Sequence, residues 1–382
     1  MDSKRFLWTD LTLDNSQAKK YSNTKLALSI SETILSFVLL FLFTFLGISI
    51  RVELYIRTLL TNNFAVFLIY VLVLAVSSAI IFSHFNYYTD FYLEHKYKLS
   101  NQSFLKWIWE GSKAAMIGAV FGIPLLMVFY YILLKFGIMW WLPFGIILFI
   151  FSVVMAQIVP VLILPLFYKV ILLDNESLKE KIMHLCKNAG LKVGNVYKFD
   201  MSKNTKKANA AFTGLGKTKR ILLGDTLLDK YTEDEIETVI AHELGHYKKK
   251  HIIKNIFIGT LSSFLTFYLI AHLHQASLSW FGFTGITEIS SLPLLGLWAT
   301  IIGLIQAPIT NAISRRFEFQ ADNYAVTSTQ KSDAFIKTLE KLTDQNLGDR
   351  EPHPFVEWFF YSHPSINNRI ANIKLISNRI HY

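Results

Sequence analysis

The chain has 382 residues, 52% hydrophobic and only 17% charged, against about 25% charged in ordinary soluble domains. That balance excludes disorder and, because the apolar residues come in long runs, a single water-soluble globule. Its one cysteine, Cys186, excludes a disulfide framework and a zinc site built on paired cysteines. The excess of 38 Lys and Arg over 28 Asp and Glu, a net charge of +10, reads as basic loops flanking membrane spans and not as a nucleic-acid surface.

A bilayer core about 30 Å thick needs roughly 20 apolar residues in helix. Taken in chain order, the runs 26–50, 64–83, 114–134, 138–168, 253–273 and 293–313 qualify. The fourth is too long for one straight crossing, and Pro160 and Pro165 should bend it or let it emerge. The polar stretch from Met1 to Lys25 and the length of the first run argue against a cleavable signal. Lys and Arg crowd the N-terminal segment, the loop 84–113, the stretch 169–252 and the tail after Arg315 and Arg316, whereas 274–292 has none. This alternation puts both termini and 169–252 on the cytoplasmic side. The expected fold is mainly α: a polytopic bundle of about six spans, with a zincin-like α+β catalytic domain on the cytoplasmic side. Four units follow: a transmembrane region 1–168, a first catalytic part 169–252, a membrane hairpin 253–313 and a second catalytic part 314–382. A hairpin that returns to the same side lets the two soluble parts fold together.

Residues 242–246 read His-Glu-Leu-Gly-His. On a helix, positions i and i+4 lie on one face, so His242 and His246 can reach a single metal ion. Glu243, about 100° around the axis, can face a water in the metal's open position and act as general base. Thr232, followed by Glu235, forms a capping box that announces this helix. Acidic residues fill its first turns and Lys248 to Lys250 its last. Downstream, Arg-Arg-Phe-Glu-Phe-Gln-Ala-Asp (315–322) spaces Glu318 and Asp322 by four. By themselves the two carboxylates would only balance the arginines. Beside the histidine pair, Glu318 completes a His₂Glu zinc set and Asp322 is placed to accept the ring N–H of a ligating histidine.

Before the helix, Lys207 to Gly214 and Lys219 to Gly224 flank Leu-Gly-Lys-Thr as a hairpin. Its edge, from Asn209 and Ala210 onward, can hold an extended peptide by main-chain hydrogen bonds, although Asn209 also suits a turn. His363, in Ser-His-Pro-Ser, reads either as a surface turn or as a donor to an oxyanion. His251, His272 and His274 have no partner at ligand spacing and read as structural.

Together these segments resemble the type I CAAX prenyl proteases, integral membrane zinc endopeptidases, over roughly residues 18–375. The resemblance rests on Tyr92–Asn101, on Pro160–Lys169 and on Ala208-Asn209-Ala210. The strand Lys219–Leu228, His242–His246, Glu318–Asp322 and His363-Pro364 then follow in the family's order. It implies zinc on His242, His246 and Glu318, Glu243 as base, and Asn209, Ala210 and His363 near the substrate. It also implies Arg369 near the site and paired to Asp322, and a water-filled chamber enclosed by the spans. The implied substrate is a peptide or protein, isoprenylated on a cysteine and cut to release a C-terminal tripeptide. The chain begins near where the second span of eukaryotic members begins, so a compact prokaryotic member in a bacterial inner membrane is expected, with the endoplasmic reticulum as the eukaryotic alternative. A quality-control protease with broad substrates shares the same site, and a non-catalytic channel or scaffold is a third reading that the intact Glu243 opposes.

Overall fold

The computed structural model describes residues 14–191, 193–213 and 220–380. Six long apolar helical arms dominate it. The first, α1 (Asp14–Phe45), ends at Gly47, whose left-handed φ of 67° turns the chain into the short α2 (Ile48–Leu59). Asn62 then caps α3 (Asn63–Asn86) through its side-chain oxygen, and a π-helical stretch (Tyr87–Tyr92) leads into α4 (Leu93–Lys96). Ser103 caps α5 (Phe104–Phe136), and α6 spans Trp141–Ile158.

Among the described residues, five continuous helical stretches are long and apolar enough to cross a membrane: Ser16–Phe45, Asn63–Lys96, Phe104–Phe167, His251–Phe281 and Ile289–Thr329. The third, at 64 residues, would be about 96 Å long if straight. It does not run straight: Gly137, at φ 53° and ψ −130°, ends α5, and α5 and α6 pack against each other as two arms. Among the described residues the five stretches thus make six long apolar arms. At Pro160 the chain passes into a π-helical turn (Val159–Ile163) before the last apolar turn, α7 (Leu164–Phe167).

The soluble part follows as β1 (Val170–Leu172), α8 (Glu176–Asn188), β2 (Val196–Phe199), β3 (Ala210–Thr213), β4 (Arg220–Gly224) and α9 (Asp225–Leu228). Next come α10 (Glu233–Lys248), α11 (His251–Ser277) and α12 (Pro293–Thr329), then α13 (Ser332–Gln345), α14 (Pro354–Phe360) and α15 (Ile366–Ile380). The four strands lie in the order β1-β2-β4-β3. The β2–β4 pair is parallel, the other two pairs are antiparallel, and β3 is an edge. The antiparallel β3–β4 pair is the expected hairpin; its connection, 214–219 with Leu-Gly-Lys-Thr, lies outside the described residues.

Packing is concentrated at the two ends of the molecule. One core joins Leu178, Ile182, Ile221, Leu223, Ile240 and Leu244 to Ala325, Phe335, Leu339 and Ile373, so segments on either side of the α11–α12 hairpin share one interior. At the far end, Phe67, Tyr70, Tyr130, Leu133, Trp140 and Ala271 form another. Between the ends, only 0–22% of the most apolar window of each stretch is buried. Helices that touch along such narrow seams form a wall around a hollow and not a solid bundle, while their outer apolar faces suit lipid.

Candidate active site and its relatives

The His-Glu-x-x-His helix α10 starts where its sequence says it should. Thr232 Oγ1 accepts from the Glu235 N–H and the Glu235 carboxylate accepts from the Thr232 N–H, a complete capping box. Its far end stops at Lys249, and Lys250 adopts a left-handed φ of 58° that swings the chain sharply into α11. Helix α10 lies directly against the C-terminal part of α12. A Cβ built on Gly245 would sit 2.8 Å from the Ala321 Cα and 2.9 Å from its carbonyl oxygen. The glycine of His-Glu-Leu-Gly-His therefore sets how closely α12 approaches.

That approach brings together side chains 72 or more positions apart in sequence. His242 Nε2 lies 3.4 Å from one Glu318 oxygen and His246 Nε2 lies 3.3 Å from the other. The two Nε2 atoms are 3.2 Å apart. Ligand atoms of His242, His246 and Glu318 all fall within 4.8 Å of one another, and this is the metal-type cluster found among the described residues. Two imidazoles and one carboxylate, converging from two rigid helices, fit the donor set of catalytic divalent metals.

The supporting shell is buried. His242 Nδ1–H donates to Asp322 Oδ1 at 2.8 Å. Asp322, wholly buried, also receives two bonds from the Arg369 guanidinium of α15, at 2.9 and 2.6 Å. Hydrogen-bonded and paired in this way, the Asp322 charge is sustained without water. Glu243 is half-buried on the next position of α10. Burial pushes its carboxyl up from the ordinary carboxylate range, with the charges of His242 and His246 pulling the other way. His363 is 64% exposed and holds its Nδ1 3.3 Å from Glu318.

Two cavities meet at Glu243 and Glu318. One, about 580 Å³, runs past Asn209, Ala210, Phe335 and Arg369; the other, about 330 Å³, runs past Phe212, Tyr247 and Asn255. His242 and His363 line both. Asn209 is exposed and Ala210 opens edge strand β3. All nine residues singled out in the sequence thus border this site or hold a residue that does. Sequence reasoning missed the role of Gly245 in the helix approach. It also set His251 aside as structural, whereas the structure places His251 Nδ1 3.0 Å from His246 Nδ1. The motif gave no spacing signal for either, because Gly245 acts through α12 and His251 is placed by the corner at Lys250.

Comparison with known proteins gives the family. Residues 172–377 match the model of peptidase family M48, and residues 12–169 match the model of the CAAX prenyl protease N-terminal region with five membrane helices. An uncharacterized metalloprotease of Bacillus subtilis, YhfN, is 30% identical over 369 residues, covering 94% of this chain and 85% of its own. CAAX prenyl protease 1 of Saccharomyces cerevisiae is 31% identical, covering 77% of this chain and 69% of its own. The crystal structure of Ste24p from S. mikatae superposes with a TM-score of 0.83 at 27% identity, covering 94% of this chain and 89% of that one. The chain belongs to peptidase family M48 and is a multi-pass membrane metalloprotease.

Proposed function

We propose that this protein is a zinc endopeptidase that removes the C-terminal tripeptide from isoprenylated CAAX substrates at the cytoplasmic face of its membrane, a bacterial inner membrane. The observation that carries the reading is the convergence of His242, His246 and Glu318 within 4.8 Å, with Glu243 at the junction of two cavities. The relatives named as CAAX prenyl proteases support the substrate class. The hollow between the spans supports an apolar substituent on the substrate, because a prenyl chain needs a place out of water. The basic segments on the catalytic side support the orientation.

His242, His246 and Glu318 would hold the zinc, which when bound supplies a Lewis acid for the scissile carbonyl and a bound water of pKa near ~7. Glu243 takes the proton of the attacking water on its carboxylate and passes it to the leaving amine nitrogen, a role that a raised proton affinity suits. His363 donates a hydrogen bond to the oxygen that gains charge. Edge strand β3, with Asn209 and Ala210 at its start, aligns the substrate backbone as an added strand. Asp322, clamped by Arg369, fixes the His242 ring with Nε2 facing Glu318.

The test is cleavage of a farnesylated CAAX peptide and its unprenylated twin by the detergent-purified chain, beside Glu243→Gln and a chelator control. Cleavage of the prenylated peptide alone, lost in both controls, is the expected result. Equal cleavage of both peptides would favour a broad quality-control protease. Folded protein that takes up no zinc would overturn the enzyme mechanism.

A further inference from the structure

Histidine 251 does nothing in the mechanism above, yet it is buried to 1% exposure beside a candidate ligand. The left-handed Lys250 makes the corner that brings it there. Its ring stacks on Phe317, centroids 4.2 Å apart and planes 6° from parallel. Its Nε2 lies 2.9 Å from Gln320 Oε1, and its Nδ1 lies 3.0 Å from His246 Nδ1. Phe317 and Gln320, three apart on α12, clasp the ring from one helical face. Glu318 and Asp322, four apart on the neighbouring face, engage α10.

The proton positions follow from the far end of this chain. With the side-chain oxygen of Gln320, which only accepts, turned to the ring, the proton of His251 is assigned to Nε2 and donated to Gln320. A neutral His251 then offers a lone pair at Nδ1. Facing it, His246 Nδ1 must carry the proton and donate. That leaves the lone pair of His246 on Nε2, the atom 3.3 Å from Glu318 and 3.2 Å from His242 Nε2. Asp322 does the same for His242 through a carboxylate. The two histidines of the motif therefore have separate orienting partners, one anionic and one neutral.

We infer that His251 is a positioning residue: through Gln320 it fixes the tautomer and ring orientation of His246 and so raises the zinc affinity of the site. The inference rests on the zinc reading proposed above. Removing such a partner commonly costs 10–100-fold in metal affinity.

Two substitutions separate this from simple packing. His251→Phe keeps a flat ring to stack on Phe317 but offers no acceptor. His251→Asn loses the ring but sets its side-chain oxygen about where Nδ1 was. Zinc dissociation constants are measured by chelator competition on the full-length apo-protein in detergent, with the melting temperature of each apo-protein recorded alongside. The expected result is a 10–100-fold weaker constant for His251→Phe, an unchanged apo melting temperature, and recovery to within several-fold of wild type in His251→Asn. Wild-type zinc affinity in His251→Phe would overturn the inference and leave the zinc site intact. So would the opposite order, with His251→Asn the weaker binder and less stable, which is what a packing role requires. Absence of zinc binding in wild type would overturn the site reading itself.

Discussion

Glu243 and Gly245 are two positions apart in one motif and answer to different physics. In the proposed mechanism Glu243 acts by proton transfer, so Glu243→Gln, which keeps shape and removes the base, should lower kcat/KM by about 10²–10⁴-fold. Zinc content by metal analysis should stay at one per chain. Gly245 acts by being small. Its missing Cβ would meet backbone atoms of Ala321 at 2.8 and 2.9 Å, and backbone cannot swing aside as a side chain can. Gly245→Ala should therefore cost about 1–3 kcal/mol of stability and also weaken zinc binding, because moving α12 moves Glu318. A calorimetric melt with and without zinc measures both; unchanged affinity would mean that the helices separate without disturbing the cluster.

At the scale of the element, α10 is held at its start by a buried carboxylate. Burial opposes ionisation of Glu235, but the Lys341 ammonium at 2.7 Å and the Thr232 N–H outweigh it and hold the carboxyl below its ordinary value. A depressed acid stabilises the fold fully above its unfolded pKa of about 4.3, and that share is lost as pH falls through the lower folded value. Glu235→Gln should thus melt lower than wild type at neutral pH, and the gap should close below about pH 4. A constant gap down to pH 3 would mean the carboxylate charge is irrelevant. The capping box, the dipole-matched charges and the i, i+4 histidines were all legible locally, since each joins residues within one or two turns. The break of the long helical stretch at Gly137 was legible as well, since the apolar runs 114–134 and 138–168 part there.

For the molecule as a whole, the spans and the catalytic part are braced at one buried carboxylate. Glu94 accepts from Tyr21 of α1, from Lys25 at 3.0 Å and from Lys207, just before β3, at 2.9 Å. The backbone pairs there too, with Lys206 N–H donating to Leu99 O and Asn101 N–H to Asn204 O. Glu94→Gln keeps the volume but leaves two ammonium groups without a countercharge, a loss of about 2 kcal/mol. It should lower the detergent melting temperature by a few degrees while zinc affinity is retained. Loss of both would show that the brace also holds the cluster.

Sequence alone determined the class of this protein: apolar runs long enough for a bilayer, the placement of Lys and Arg, and a helical His-Glu-x-x-His are properties of composition and short-range spacing. It also singled out Glu318 and Asp322, because their own spacing put them on one face. Only the tertiary structure decided that α12 lies close enough to α10 for Glu318 to meet both imidazoles. That distance is set by the absence of a side chain at Gly245 and the backbone of Ala321, 76 residues away. The corner at Lys250, with Phe317 and Gln320 of α12 against the ring, turned His251 from a histidine read as structural into a partner of His246. Hydrogen bonds across helices depend on interaxial distance and rotation, and no pattern within either helix encodes these.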